Sequence, residues 1–241
     1  MADIIQDGTG DGRVGRTARV GVQGWGGIRS AANGTTVNDT ATTMQLLNAR
    51  TPGFKGKPDI RWLYRLFMPF NTGAIVPLAA IITACTLSMY QSASNNSGTQ
   101  TRAVITQSAV ADETNLLLAD YNNYDALDSP DEGGPRINTN STGWKTSVFT
   151  ATGLAWIKKT GEASHGGGSA GWTKILVRGQ LDINGTPPVY TSKIINAWFH
   201  TSESANPPIL TITWSVPAVT NLINIKGKTI NMKNSVMNLG A

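Results

Sequence analysis

The feature that most constrains this chain is a two-residue alternation. In residues 81–90, Cys85, Leu87 and Met89 alternate with Thr86, Ser88 and Tyr90. In residues 209–215, Ile209, Thr211 and Thr213 alternate with Leu210, Ile212 and Trp214. Successive side chains of a strand point to opposite faces, so this spacing predicts strands with one buried face. Short runs of β-branched and aromatic residues repeat the signal at 62–70, 103–107, 145–151, 174–180 and 194–200. They are bounded by Gly, Pro, Asn and Asp, and no long stretch carries the 3.6-residue period of a helix. A short capping helix of one or two turns fits 152–159, on Leu154, Ile157 and Lys158. Many short strands separated by turns predict an all-β, antiparallel sandwich or jelly roll.

The length, 241 residues, suits a single all-β domain with a core of its own. Charged residues are only 15%, where about a quarter is usual, which argues against a disordered polyelectrolyte or a coiled coil. Segments 7–48 and 120–143 are rich in glycine or acid and read as long loops with short strands, and 165–171 as a flexible glycine loop. Pro207 and Pro208 hold the chain extended before the last core strand. The one cysteine, Cys85, excludes an intrachain disulfide, a four-cysteine zinc site and a CxxC motif. It falls on the apolar side of its strand and reads as an inert core residue. The apolar run 74–84 is too short to span a membrane and is broken by Pro77 and Thr83. The first residues lack the basic and apolar regions of a secretory signal, so the expectation is a protein made and used in a cytoplasm.

The net charge is +5, unevenly spread. Asp112, Glu113, Asp120, Asp125, Asp128, Asp131 and Glu132 form an acidic block without Lys or Arg, whereas the tail after Trp214 holds Lys226, Lys228 and Lys233 and no acid. Arg13, Arg16, Arg19 and Arg29 are spaced as on turns and strand faces and read as solvated, so a nucleic-acid partner is not expected.

Motifs for chemistry are weak. Gly10-Asp11-Gly12-Arg13-Val14-Gly15 matches GxGxxG, but no helix pattern follows to place an N-terminus at a pyrophosphate; it reads as a glycine turn. His165 lies in the glycine loop and reads as solvated; His200 closes a strand and reads as a hydrogen-bonded rim residue. Asp120–Asp131 begins like a calcium loop but lacks the glycine and the bidentate Glu. Its clustered carboxylates leave an irregular calcium site open; the default is an acidic surface loop and no cofactor. No triad elbow or paired-acid motif marks an enzyme. Of seven tryptophans, Trp62, Trp144, Trp156, Trp198 and Trp214 fall in or beside strand runs and read mostly as core. Trp25, between two glycines, and Trp172, after the glycine loop, are the candidates for faces that stack on sugars.

Beyond Pro217 the pattern becomes a miniature hairpin: Ile223-x-Ile225, a Lys226-Gly227-Lys228 turn, then Ile230-x-Met232. The expected organisation is a jelly-roll domain over 1–216 and a basic β-hairpin arm over 217–241.

Three segments carry a resemblance. Tyr64-Arg65-Leu66-Phe67-Met68-Pro69-Phe70-Asn71-Thr72-Gly73 with Ile75, Pro77, Ala80, Ile82, Cys85, Leu87, Met89 and Tyr90 resembles the R-x-x-x-x-F-D-x-S … P … A-x-I-x-x-A-x-L-x-L-Y signature of jelly-roll carbohydrate-binding-like domains of the DNRLRE or disaggregatase-related type. Residues 197–213 look like that family's closing motif, and Asp11-Gly12-x-Val14 like its opening one. Asn71 departs from the usual Asp, and the tail 217–241 lies outside the pattern. Such domains are add-on modules of secreted polysaccharide-active proteins and also structural proteins of bacteriophage particles. The resemblance therefore implies recognition without catalysis. The absence of a signal and the basic tail lean towards a virion protein: a capsid decoration, collar or tail accessory subunit. Its arm, anchored by Ile223, Ile225, Ile230 and Met232, would bind other virion proteins or further copies of the chain. The alternative is an extracellular carbohydrate-binding module that meets surface glycans through Trp25 or Trp172. Neither reading calls for a membrane.

Overall fold

The computed structural model describes residues 10–19, 21, 23–53, 59–96, 101–189 and 194–217, together with the backbone of 2–5, 220–225 and 228–233. Twelve strands form one antiparallel sheet: β1 (Ala2–Ile5), β2 (Gly12–Arg19), β3 (Thr36–Asn38), β4 (Thr43–Thr51), β5 (Ile60–Asn71), β6 (Ile81–Ser94), β7 (Arg102–Gln107), β8 (Ile137–Asn138), β9 (Gly143–Val148), β10 (Trp172–Gly179), β11 (Ile195–His200) and β12 (Ile209–Ser215). The main order is β1-β12-β6-β11-β4-β5-β10-β7-β8; β2 joins β5 and carries β3, and β9 joins β6. The sheet nearly closes on itself. Three one-turn helices punctuate it: α1 (Trp25–Arg29), α2 (Ala151–Ala155) and α3 (Gln180–Ile183). Among the described residues no helix is long and apolar enough to cross a membrane.

Two long strands organise the sheet because each changes partner along one edge. β5 pairs with β4 over 60–64 and with β10 over 66–71, while β2 runs along its other edge. β6 pairs with β12 over 81–88 and with β11 over 91–94, while β9 covers 86–91 opposite. A bulge between Trp198 and Phe199 lets β11 continue where β12 leaves off. The expected alternation in 81–90 holds: Cys85, Leu87 and Met89 are buried, and Cys85 burial pushes its thiol up to about 12. They share one core with Leu66, Met68, Phe70, Phe199, Leu210 and Ile212.

Three expectations are corrected. β5 is buried on both faces from Arg65 to Phe70, so its odd positions are not a solvent face. Segment 7–48 holds two full strands, β2 and β4, not only short ones; arginines and glycines on β2 mask its alternation. The acidic block is only partly surface: Glu113, Asp120 and Tyr121 are buried, because 108–128 lies over the outward positions of β5 and β10. The short helix is confirmed as α2, capped by Thr150, whose hydroxyl accepts from Gly153 N. GxGxxG opens strand β2 and not a helix.

The tail forms a second, separate sheet, β13 (Thr220–Ile225) against β14 (Lys228–Lys233). Its register pairs Ile223 with Ile230, Ile225 with Lys228 and Asn221 with Met232. Ile223, Ile225, Ile230 and Met232 thereby take positions on one face of the ladder. The side chains of these four lie outside the described residues.

Candidate functional site

The most distinctive surface is an aromatic face of the sheet across β9, β6, β11 and β4. Trp144 on β9 stands opposite Tyr90 on β6. Strand alternation sends Ser147 inward and leaves Trp144, Thr146 and Val148 outward; Trp144 is 47% exposed. Trp144 meets Tyr90 edge to face, with centroids 5.6 Å apart, and His200 lies against the same ring at 4.8 Å. Such packing fixes the aromatic rings while leaving indole surface to solvent. His200 Nδ1 is buried and accepts or donates no hydrogen bond within the protein, which corrects its reading as a hydrogen-bonded rim residue.

A polar relay continues this face. Trp198 pairs in register with Gln45. Gln45 donates from Nε2 to Asn196 Oδ1 at 2.7 Å and accepts at Oε1 from Arg13 Nη1 at 2.9 Å. The Arg13 guanidinium sits 4.7 Å from the centroid of Tyr64, a cation–π contact. Aromatic area beside oriented amide and guanidinium groups can stack on a ring and hydrogen-bond its hydroxyls. These residues supply no nucleophile–base pair.

The chemistry beneath the opposite surface is structural. Asp182 on α3 accepts two hydrogen bonds from Arg65 and two from Arg178, all between 2.8 and 3.0 Å, and all three side chains are fully buried. Burial alone would raise the Asp182 carboxyl; the two guanidinium groups overcome it and hold the carboxyl well below the usual range. Arg65 also donates to Tyr121 O and Arg29 O and stacks between Tyr121 and Tyr124, at 4.4 and 4.6 Å. Arg178 donates to Ala126 O and Leu127 O. Arg29, expected to be solvated, is buried: it approaches Asp182 at 3.4 Å and donates to Asp128 and Leu127 O. On β10, buried Lys174 donates to Val110 O and Gly167 O and pairs with Glu113 at 3.0 Å. Basic residues on β5 and β10 thus fasten the acidic segment and the glycine loop to the sheet. Gly168, at φ +81°, leaves no room for a Cβ, which would meet Ala111 O at 2.1 Å; that close approach is what its glycine serves.

The residues expected to bind sugar sit elsewhere. Trp25 begins α1 and is 5% exposed; Trp172 begins β10 and is 9% exposed. Both are buried because the glycines that flank them let neighbouring backbone close over the indole, so neither offers a stacking face. Trp144, assigned to the core from its strand setting, is the exposed one. Register supplies what the residue types alone lack: β9 has a neighbouring strand on one side and turns Trp144 outward. The acids weighed for calcium have separate partners. Asp120 caps the turn at 118–122 and holds Asn123, Asp125 contacts His165 at 2.5 Å, and Glu132 pairs with Arg136. Among the described residues no group of three or more His, Cys, Asp or Glu is close enough to hold a metal ion.

A scan against protein-family models and a search of curated proteins find no match to the chain.

Proposed function

We propose that this chain is a non-enzymatic structural subunit of a virus particle, a decoration, collar or tail accessory protein built on a jelly roll, and that it binds neighbouring subunits through its C-terminal arm. The observation that carries this reading is the separate β13–β14 ladder. A lone two-stranded hairpin is marginal in water and gains stability by covering its apolar face. The arm has four apolar positions on one face and three lysines without an acid. Such an arm docks by strand pairing and apolar contact, without needing a pocket. The test is a chain ending at residue 216: incorporation into particles is expected to fail, and unchanged incorporation would overturn the reading.

The aromatic face supports a second reading, a glycan-binding module. Trp144 and Tyr90 supply the stacking surface, and Asn196, Gln45 and Arg13 the hydrogen-bonding groups. A particle-surface subunit can hold host sugars as well, so the two readings are compatible. Glycan-array binding that disappears in Trp144→Ala would support it; array binding equal in both proteins would overturn the assignment to this face.

A further inference from the structure

We propose that the acceptor for the arm is a groove on a second copy of this same chain, between the first residues of β6 and helix α2, so that two copies exchange arms. The inference rests on the arm-docking reading above and names its partner. Over 86–88, β6 has a strand on both sides, but over 81–85 it is paired only by β12. After Val148, Phe149 N donates to Cys85 O and the chain turns into α2, leaving the edge at Ile81–Ala84 without a strand neighbour among the described residues. An unpaired edge presents free backbone donors and acceptors, and a strand is what satisfies them. Beside this edge lies an apolar groove of about 440 Å³, lined by Ile81, Ile82, Ala151, Leu154 and Ala155. Ile81 is 55% exposed and nearby Leu78 63%. Lys159 and Glu162 at its rim are paired with each other.

The arm suits this site in three ways. It is itself a strand pair, so an outer strand can extend the β6 edge. Its apolar positions fall on one face, matching a groove that is apolar on one side. It also departs next to the groove: Ser215, the last residue of β12, pairs with Ile81. A second copy is the occupant because of the exit. Pro217 fixes its own φ and keeps Val216 extended, so the chain leaves along the line of β12 and does not turn back across β6. An arm that starts beside one groove and runs outward reaches the equivalent groove of a two-fold-related copy, the geometry of reciprocal exchange.

The experiment compares the molar mass of four proteins by light scattering after size exclusion: the full chain, a chain ending at residue 216, Ile81→Lys and Ile223→Lys. Ile81 is largely exposed, so Ile81→Lys is expected to keep the thermal midpoint of the full chain. The full chain is expected at twice the 25.6 kDa of one copy, and the three variants at one copy. Mixing Ile81→Lys with the truncated chain is expected to restore a two-copy species, since one supplies an arm and the other a groove. A monomeric full chain, or a dimeric Ile81→Lys, overturns the inference. If the full chain is monomeric and truncation still prevents particle incorporation, the arm docks on a different protein: the exchange fails and the assembly reading stands.

Discussion

Arg65 and Asp182, separated by 117 residues in sequence, meet as a two-pronged ion pair with no solvent exposure, Nε to Oδ2 at 2.8 Å and Nη2 to Oδ1 at 2.9 Å. The pair joins the central strand β5 to the turn after β10. Around it the backbone carbonyls of Arg29 and Tyr121 take the remaining guanidinium donors. Removing one partner of such a pair leaves a buried charge uncompensated.

Asp182→Ala is therefore expected to cost about 3–5 kcal/mol of unfolding free energy, because Arg65 and Arg178 both lose their carboxylate. Urea denaturation measures it. A loss under about 1 kcal/mol would show that the cluster is solvated or compensated elsewhere.

Asp11 gives a pH dependence of known sign. Its carboxylate is fully buried at the start of β2 and accepts from Ser202 N and Ser202 Oγ, both at 2.9 Å. Burial pushes its pKa up to about 7, against the lowering by those two hydrogen bonds, and Glu203 adds to the rise. The folded state thus holds a proton that the unfolded chain gives up near the ordinary carboxylate range. The contribution is full in acid below about pH 4 and is lost as pH rises through about 7, at most about 1.4 kcal/mol per pH unit. The difference in stability between the natural chain and Asp11→Asn, followed from pH 4 to 8, is expected to drift in that direction; a pH-independent difference would contradict it.

Phe70 lies fully buried on β5 in the main core. Phe70→Ala is expected to cost about 3–5 kcal/mol, by lost burial and the cavity left behind. Chemical denaturation with a loss below about 1 kcal/mol would remove Phe70 from the core.

Trp144 tests the aromatic face. Its indole is half in solvent, so Trp144→Ala is expected to change stability by about 1 kcal/mol or less while abolishing retention on a glycan that the natural chain binds. Weakened folding with undiminished retention would assign the residue to packing.

Legibility in the sequence followed burial geometry. Strands with one wet face, such as residues 81–90 and 209–215, announced themselves by alternation, and the hairpin at 220–233 by two short alternating runs around a turn. Where both faces are covered the alternation disappears. On β5 and β10 the second face holds Arg65, Lys174 and Arg178, which look like surface residues until their acceptors are known. Those acceptors are largely backbone carbonyls of 110–127, and a carbonyl has no residue type to read. The same limit explains the tryptophans. Flanking glycines marked Trp25 and Trp172 as loop residues, yet small neighbours let a chain pack closely as readily as they expose it. Trp144 emerged only from the register of β9 against β6.

The central claim is that the arm after residue 216 makes the contacts that give this chain its role. The most direct test is quantitative protein composition of purified particles assembled with the full chain or with a chain ending at residue 216. Retention of the full chain and loss of the shortened, still folded one is the predicted result; equal copy numbers of both in the particle would contradict the account.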